Sequence, residues 1–136
     1  GDELIIRNTF GSINYKGKGV FIVGGTGITP FIAILRQLRE ENKLEGNILL
    51  FSNKTSRDII FENELKEMLK DKAIFTLTRE NNTNYYYGRI NKEMIKKYVK
   101  NFNQYFYICG PMQFVVDMKK ALDELGIEPE SVVIEI

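Results

Sequence analysis

The sequence predicts an α/β domain, a five-stranded parallel sheet with helices on both faces. Three observations carry that expectation. Short apolar runs recur along the chain, and most are followed by a stretch with helical spacing. The runs are apolar throughout rather than alternating, as in strands covered on both faces. Glycine or proline punctuates several of the passages between run and helix.

The first run, GVFIV over 19–23, ends at Gly24-Gly25 and reads as a buried strand. Thr29 and Pro30 then open a helix to about Glu41, with threonine as N-cap and proline at the first helical position. Phe31, Ile34, Leu35 and Leu38 follow the i, i+3, i+4, i+7 spacing of one helix face. NILLFS over 47–52 is the second strand. A helix beginning at Asp58 turns Ile60, Phe61, Leu65, Met68 and Leu69 inward. AIFTLT over 73–78 is the third strand, followed by a polar loop through Asn81, Asn82 and Asn84 and a short helix over 91–99. YFYIC over 105–109 is the fourth strand. Pro111 starts a helix that uses Phe114, Val115, Met118, Leu122 and Leu125 and ends at Gly126. SVVIEI over 131–136 is the last strand. Residues 1–17 break the pattern, because Leu4-Ile5-Ile6 is an apolar run with no helix behind it. The expected division is 1–17 as the exit from a preceding domain and 18–136 as the α/β domain.

Composition narrows the chemistry. The chain has 136 residues, a net charge of +1, no histidine and one cysteine. That length fits one domain, or one domain with a fragment of another. Without histidine there is no Ser–His or Cys–His couple, and zinc lacks its commonest ligand. Cys109 alone supports neither an intrachain disulfide nor a cysteine-ligated cluster. Interspersed charges give no nucleic-acid footprint. No apolar run approaches the ~18 residues of a membrane span, and no basic-then-apolar leader is present, so a cytoplasmic location is expected. A bound cofactor is left to do the chemistry.

The turn Gly24-Gly25-Thr26-Gly27-Ile28-Thr29-Pro30 is the first place to seat one. Its glycines allow close backbone approach, and the helix start behind it offers unpaired N–H groups to a pyrophosphate. Pro30 stands where G-x-G-x-x-G would have its third glycine. A phosphate seat and a tight strand–helix turn are both consistent with these residues alone.

Together with Phe31, this turn resembles the G-G-T-G-I-T-P-x segment of the ferredoxin–NADP reductase family's NAD(P)-binding domain. Cys109-Gly110-Pro111 is similar to that family's C-G-P. The stretch from Asn53 to Ile59, with Glu64-Leu65, is similar to its N-x-T-x-x-D-I … E-L, and residues 1–17 look like the last strand and exit of its FAD-binding barrel. The resemblance spans essentially the whole chain in the family's order. It implies a Rossmann-like fold and an oxidoreductase that passes hydride from NAD(P)H to FAD. Electrons then go onward to a ferredoxin- or flavodoxin-type partner or another acceptor.

The resemblance also implies site residues. Gly25, Thr26, Gly27 and Thr29 would hold the pyrophosphate and nearby ribose, with Ile28 and Pro30 in the same cofactor-binding turn. Asn53 would lie at the nucleotide end of the second strand. Cys109 would position the nicotinamide, in a pocket shaped by Gly110 and Pro111 with Met112 beside them; the alternative for Cys109 is a buried thiol that packs as a small hydrophobe. Thr78-Arg79-Glu80 resembles an S-R-E segment whose hydroxyl and guanidinium take a 2′-phosphate, which favours NADPH; solvated strand-end charge is the other reading. Tyr85-Tyr86-Tyr87 either flanks adenine or packs on the sheet edge, and Gly88-Arg89-Ile90 resembles the family's x-G-R-I. The family's R-x-Y-[ST] flavin segment does not occur here, so FAD is expected to be held mainly by an upstream domain. The fragment alone is then not expected to complete a catalytic cycle. The sequence ends Glu135-Ile136 instead of in an aromatic, and Glu135 faces either the flavin edge or solvent. A non-catalytic nucleotide-binding module is the alternative reading of the whole.

Overall fold

A computed structural model describes residues 15–135. The expected barrel remnant over 1–17 falls almost entirely outside the described residues, as does Ile136. Among the described residues, six strands form one parallel sheet: β1 (Gly19–Gly24), β2 (Ile48–Asn53), β3 (Ala73–Leu77), β4 (Tyr86–Tyr87), β5 (Tyr105–Cys109) and β6 (Val132–Glu135). Their order across the sheet is β4-β3-β2-β1-β5-β6. Four helices connect them: α1 (Ile28–Glu40), α2 (Glu62–Leu69), α3 (Lys92–Tyr98) and α4 (Met112–Glu124).

The five expected strands are all present, and β4 makes a sixth. It consists of two tyrosines paired with Thr76 and Leu77 at the sheet's outer edge. Two residues are too few to show any period, so only their partner strand reveals them as a strand.

Each central strand is apolar at every position because its side chains alternate between two packed layers. On one face Phe21, Val23, Leu49 and Phe51 meet Phe31, Leu35 and Leu65 from α1 and α2. On the other, Val20, Ile22, Leu50 and Ile108 meet Ile95, Val115 and Leu122 from α3 and α4. Tyr107 is fully buried, its ring stacked 4.7 Å from that of Phe21. Its hydroxyl accepts from the N–H groups of Lys16 (2.9 Å) and Gly17 (3.0 Å) and donates to the Gly17 carbonyl (2.6 Å). The segment entering β1 is thereby tied to β5 across the sheet.

Two helix starts differ from expectation. α1 begins at Ile28 with Gly27 as N-cap, and the Thr29 hydroxyl donates back to the Thr26 carbonyl (3.1 Å) instead of capping. Pro30 then stands third in the helix, where its missing N–H still costs no intrahelical bond. α2 begins at Glu62, not Asp58. Asp58 closes a separate 3₁₀ turn, its carboxylate accepting from the backbone N–H (3.1 Å) and hydroxyl (3.0 Å) of Thr55. Phe61 then adopts φ +63 and is 38% exposed, so it does not join Leu65, Met68 and Leu69 on the inner face. A left-handed residue interrupts helical hydrogen bonding, which moves the start one turn on.

Candidate functional site

In the strand order the chain leaves β1 towards β2 on one side and returns in β5 on the other. Parallel sheets open a crevice at the carboxyl ends of their strands at such a reversal. Here the two turns flanking it are Gly24–Gly27 after β1 and Cys109–Pro111 after β5.

Their backbones touch. A Cβ built on Gly27 would stand 2.6 Å from the Cys109 carbonyl oxygen and 2.9 Å from the Gly110 nitrogen. Only a residue with no Cβ allows that approach. Gly25 is glycine for another reason, its φ of +57, and a Cβ there would meet nothing within 4 Å. At Gly25 the turn therefore faces open space. Behind it, no side chain caps the N-terminus of the 13-residue helix α1; the Ile28 N–H bonds back to the Thr26 carbonyl, and the helix start carries its partial positive charge.

Phe114, in the first turn of α4, completes the junction. Built Cβ atoms on Gly24 and Gly110 would stand 3.1 Å and 2.7 Å from its ring. The ring thus spaces the two turns. The helical pattern identifies Phe114 as a core residue of α4, but the two glycines it rests on lie in separate strands' turns and give no local signal.

Cys109 ends β5 nearly buried, beside Glu135 of β6 in the ladder register. Burial, and secondarily the charge of Glu135, push the thiol up to about 11. It stays protonated at neutral pH and packs as a small polarisable group at the crevice wall. Pro111 is the N-cap of α4, and Met112 follows it at 59% exposure.

Asn53, Thr78 and Arg79 lie at the carboxyl ends of the next two strands. The Thr78 N–H donates to the Asn53 carbonyl and the Arg79 N–H to the Lys54 carbonyl, both at 2.9 Å. Asn53 is 6% exposed and its Nδ2 has no hydrogen-bond partner among the described residues, a donor in want of an acceptor. Glu80 clamps the two loops: its carboxylate accepts from the Ser56 N–H (2.9 Å), the Ser56 hydroxyl and the Asn82 amide (3.0 Å). Those bonds, the Asn82 one foremost, hold its pKa below the ordinary glutamate value. With Glu80 tied to Ser56 and Asp58 to Thr55, Lys54, Arg57 and Arg79 form ion pairs with no described residue. The T-R-E segment flags these residues in sequence, but the clamp by Glu80 is a tertiary feature.

Residues 21–120 match the family model described as the oxidoreductase NAD-binding domain. The chain belongs to that family. It is 28% identical over 126 residues to the flavohemoprotein of Bacillus subtilis, covering 86% of this chain and 32% of that protein. It is 31% identical over 145 residues to NADH-cytochrome b5 reductase 1 of Aspergillus terreus, covering 93% and 48%. Among solved structures, the flavohem-like FAD/NAD binding domain of nitric oxide dioxygenase from Vibrio cholerae superposes with a TM-score of 0.81 at 22% identity, covering 95% and 54%. A ferredoxin NADP+ reductase from Neisseria gonorrhoeae, with bound FAD and NADP, gives 0.69 at 22%, covering 85% and 54%. This oxidoreductase NAD-binding domain thus spans about a third to a half of the length of the curated relatives it matches.

A nicotinamide dinucleotide suits the residues present. The open space at Gly25, the positive end of α1 with no side-chain cap, and the unpartnered amide of Asn53 together favour a ligand rich in acceptors. Phosphate and ribose oxygens supply acceptors.

Proposed function

We propose that residues 18–136 are the NAD(P)H-binding domain of an FAD-dependent oxidoreductase, with residues 1–17 the end of its FAD-binding barrel. The observation that carries this reading is the pair of touching turns at the reversal of strand order, with the uncapped helix α1 beside them. When bound, the nicotinamide supplies a hydride, and FAD, held mainly by an upstream domain, receives it. The work of this chain is orientation. Gly25, Thr26, Gly27 and the start of α1 at Ile28, Thr29 and Pro30 hold the pyrophosphate. Asn53 donates to the nucleotide at the end of β2. Cys109, Gly110, Pro111 and Met112 shape the nicotinamide pocket, and the protonated thiol of Cys109 packs there without transferring a proton. Glu135 sets the field beside that thiol. Hydride transfer asks for proximity and alignment rather than a general base, which accords with a chain that has no histidine.

Thr78 and Arg79 take the 2′-phosphate of NADPH in this reading, because the acids nearest them in the loops are occupied by Ser56 and Thr55. Electrons pass onward to a protein or haem-type acceptor in the cytoplasm. The test is a titration of the chain with NADPH and NADH, followed by nicotinamide fluorescence. NADPH binds more tightly, and Arg79→Ala removes about tenfold of that preference. If neither nucleotide binds, the reading fails. An unchanged preference in Arg79→Ala overturns the 2′-phosphate assignment alone.

A further inference from the structure

At the outer edge of the sheet, apart from the crevice between β1 and β5, an open groove of about 710 Å³ runs along β3. Ala73, Ile74 and Phe75 form its floor. Successive strand residues point to opposite faces, and here Ala73 and Phe75 pack into the layer of α1 and α2 while Ile74 packs into that of α3 and α4. A groove lined by three consecutive residues of alternating direction therefore follows the backbone edge of the strand, with their side chains towards its two walls. No described strand pairs with that edge, because the ladder with β4 begins at Thr76 and Tyr86. Just before Tyr86 the chain turns away, the Tyr85 N–H donating to the Asn82 carbonyl (3.0 Å).

The walls are chemically distinct. On the α2 side stand Lys66 and Lys70; on the α3 side stand Tyr86 and Tyr98. Lys97 lies over both tyrosine rings, 4.9 Å and 5.4 Å from their centres, and donates to the Tyr86 hydroxyl (3.1 Å). Lys66 pairs with Glu62 (2.8 Å), whereas Lys70 and Lys97 form no ion pair with a described residue. One carboxylate, Asp71, faces them from the lining.

We propose that this edge takes an extended, acidic peptide segment of a partner protein, added as a strand beside residues 73–75. Backbone hydrogen bonds to the open edge supply sequence-independent affinity. Alternate side chains of the segment face the α2 wall, where carboxylates meet Lys66 and Lys70. Those between face Tyr86 and Tyr98, where an apolar residue lies against the rings with Lys97 at their rim. A second copy of this chain is a poor occupant, since edge-to-edge pairing would set these lysines against the same lysines. The proposal is independent of nucleotide binding.

The test is amide NMR of the chain titrated with a blocked peptide of alternating glutamate and valine, and with its lysine–valine counterpart. The acidic peptide shifts the amides of residues 73–75 and Tyr86 to saturation, and the basic one does not. The double variant Lys70→Glu, Lys97→Glu sacrifices no ion pair seen here and weakens the acidic peptide about tenfold. Its amide spectrum in the core strands stays that of the parent, which separates lost docking from lost folding. Lys97→Glu alone gives a smaller loss in the same direction. Equal binding of both peptides, absence of shifts at residues 73–75, or self-association that occupies the edge would each overturn the proposal.

Discussion

Gly27 and Cys109 meet backbone to backbone: a Cβ on Gly27 would lie 2.6 Å from the Cys109 carbonyl oxygen and 2.8 Å from its carbon. Both atoms belong to main chain at the end of a central strand, so neither swings aside as a side chain would. Gly27→Ala therefore costs about 1–3 kcal/mol of stability, as overpacking of rigid neighbours does. Urea unfolding of the variant reads this directly, and nucleotide affinity falls with it as the two turns separate. A stability within about 0.5 kcal/mol of the parent would show that the turns are free to part.

Gly110 is close to a different kind of atom. Its Cβ would stand 2.7 Å from Cδ2 of Phe114, a side chain that a smaller residue can replace. Gly110→Ala is thus destabilising in the parent and partly rescued in a Phe114→Leu background. The double-mutant cycle yields a coupling of about 0.5–3 kcal/mol, the range for residues in contact. Strict additivity would mean that the ring is not what the extra methyl meets.

Lys70 holds φ 54 and ψ −125, backbone angles that a residue with a Cβ rarely adopts. Such strain costs of the order of 1–3 kcal/mol, and glycine returns about 0.5–1 kcal/mol of it as unfolded-chain entropy. Lys70→Gly is expected to stabilise the fold by about 1 kcal/mol, as a raised urea midpoint at unchanged slope. A lowered midpoint would place the value of Lys70 in its bond to the Glu67 carbonyl instead.

Burial raises the Cys109 thiol from 9.0 to about 11 and the Tyr107 hydroxyl from 10.0 to about 12. Both acids are held neutral by the fold. Below about pH 9 the folded and unfolded chains are equally protonated at these groups, and their contribution is intact. Above it the unfolded chain ionises first, so stability falls progressively as pH rises through about 11 and 12. Urea midpoints across that range should decline. Alkylation of Cys109 in the folded chain should remain slow near about pH 8 and accelerate only towards the raised value. Rapid modification at neutral pH would show that the thiol is neither buried nor neutral.

Much of this protein is legible along the chain. The order of strands and helices follows from apolar runs and helical spacing, because both are local periods set by the pleat and the helical turn. Gly24 to Pro30 stands out because the positive φ at Gly25 calls for glycine at its own position, whereas Cys109-Gly110-Pro111 is marked by its resemblance to the family's C-G-P. Other features depend on what the fold brings alongside. Tyr86 and Tyr87 become a strand only because β3 lies next to them, and Phe61 leaves the inner face because the Thr55–Asp58 turn uses up the helix start. Phe114 reads as a core residue until its ring is seen against Gly24 and Gly110. The sequence by itself determined the layers, the fold class and the two turns. The tertiary structure alone decided that those turns touch, that Phe114 spaces them, and that β3 keeps an open edge between lysines and tyrosines. Contacts between distant segments depend on the packing of the whole sheet, and no local spacing records them.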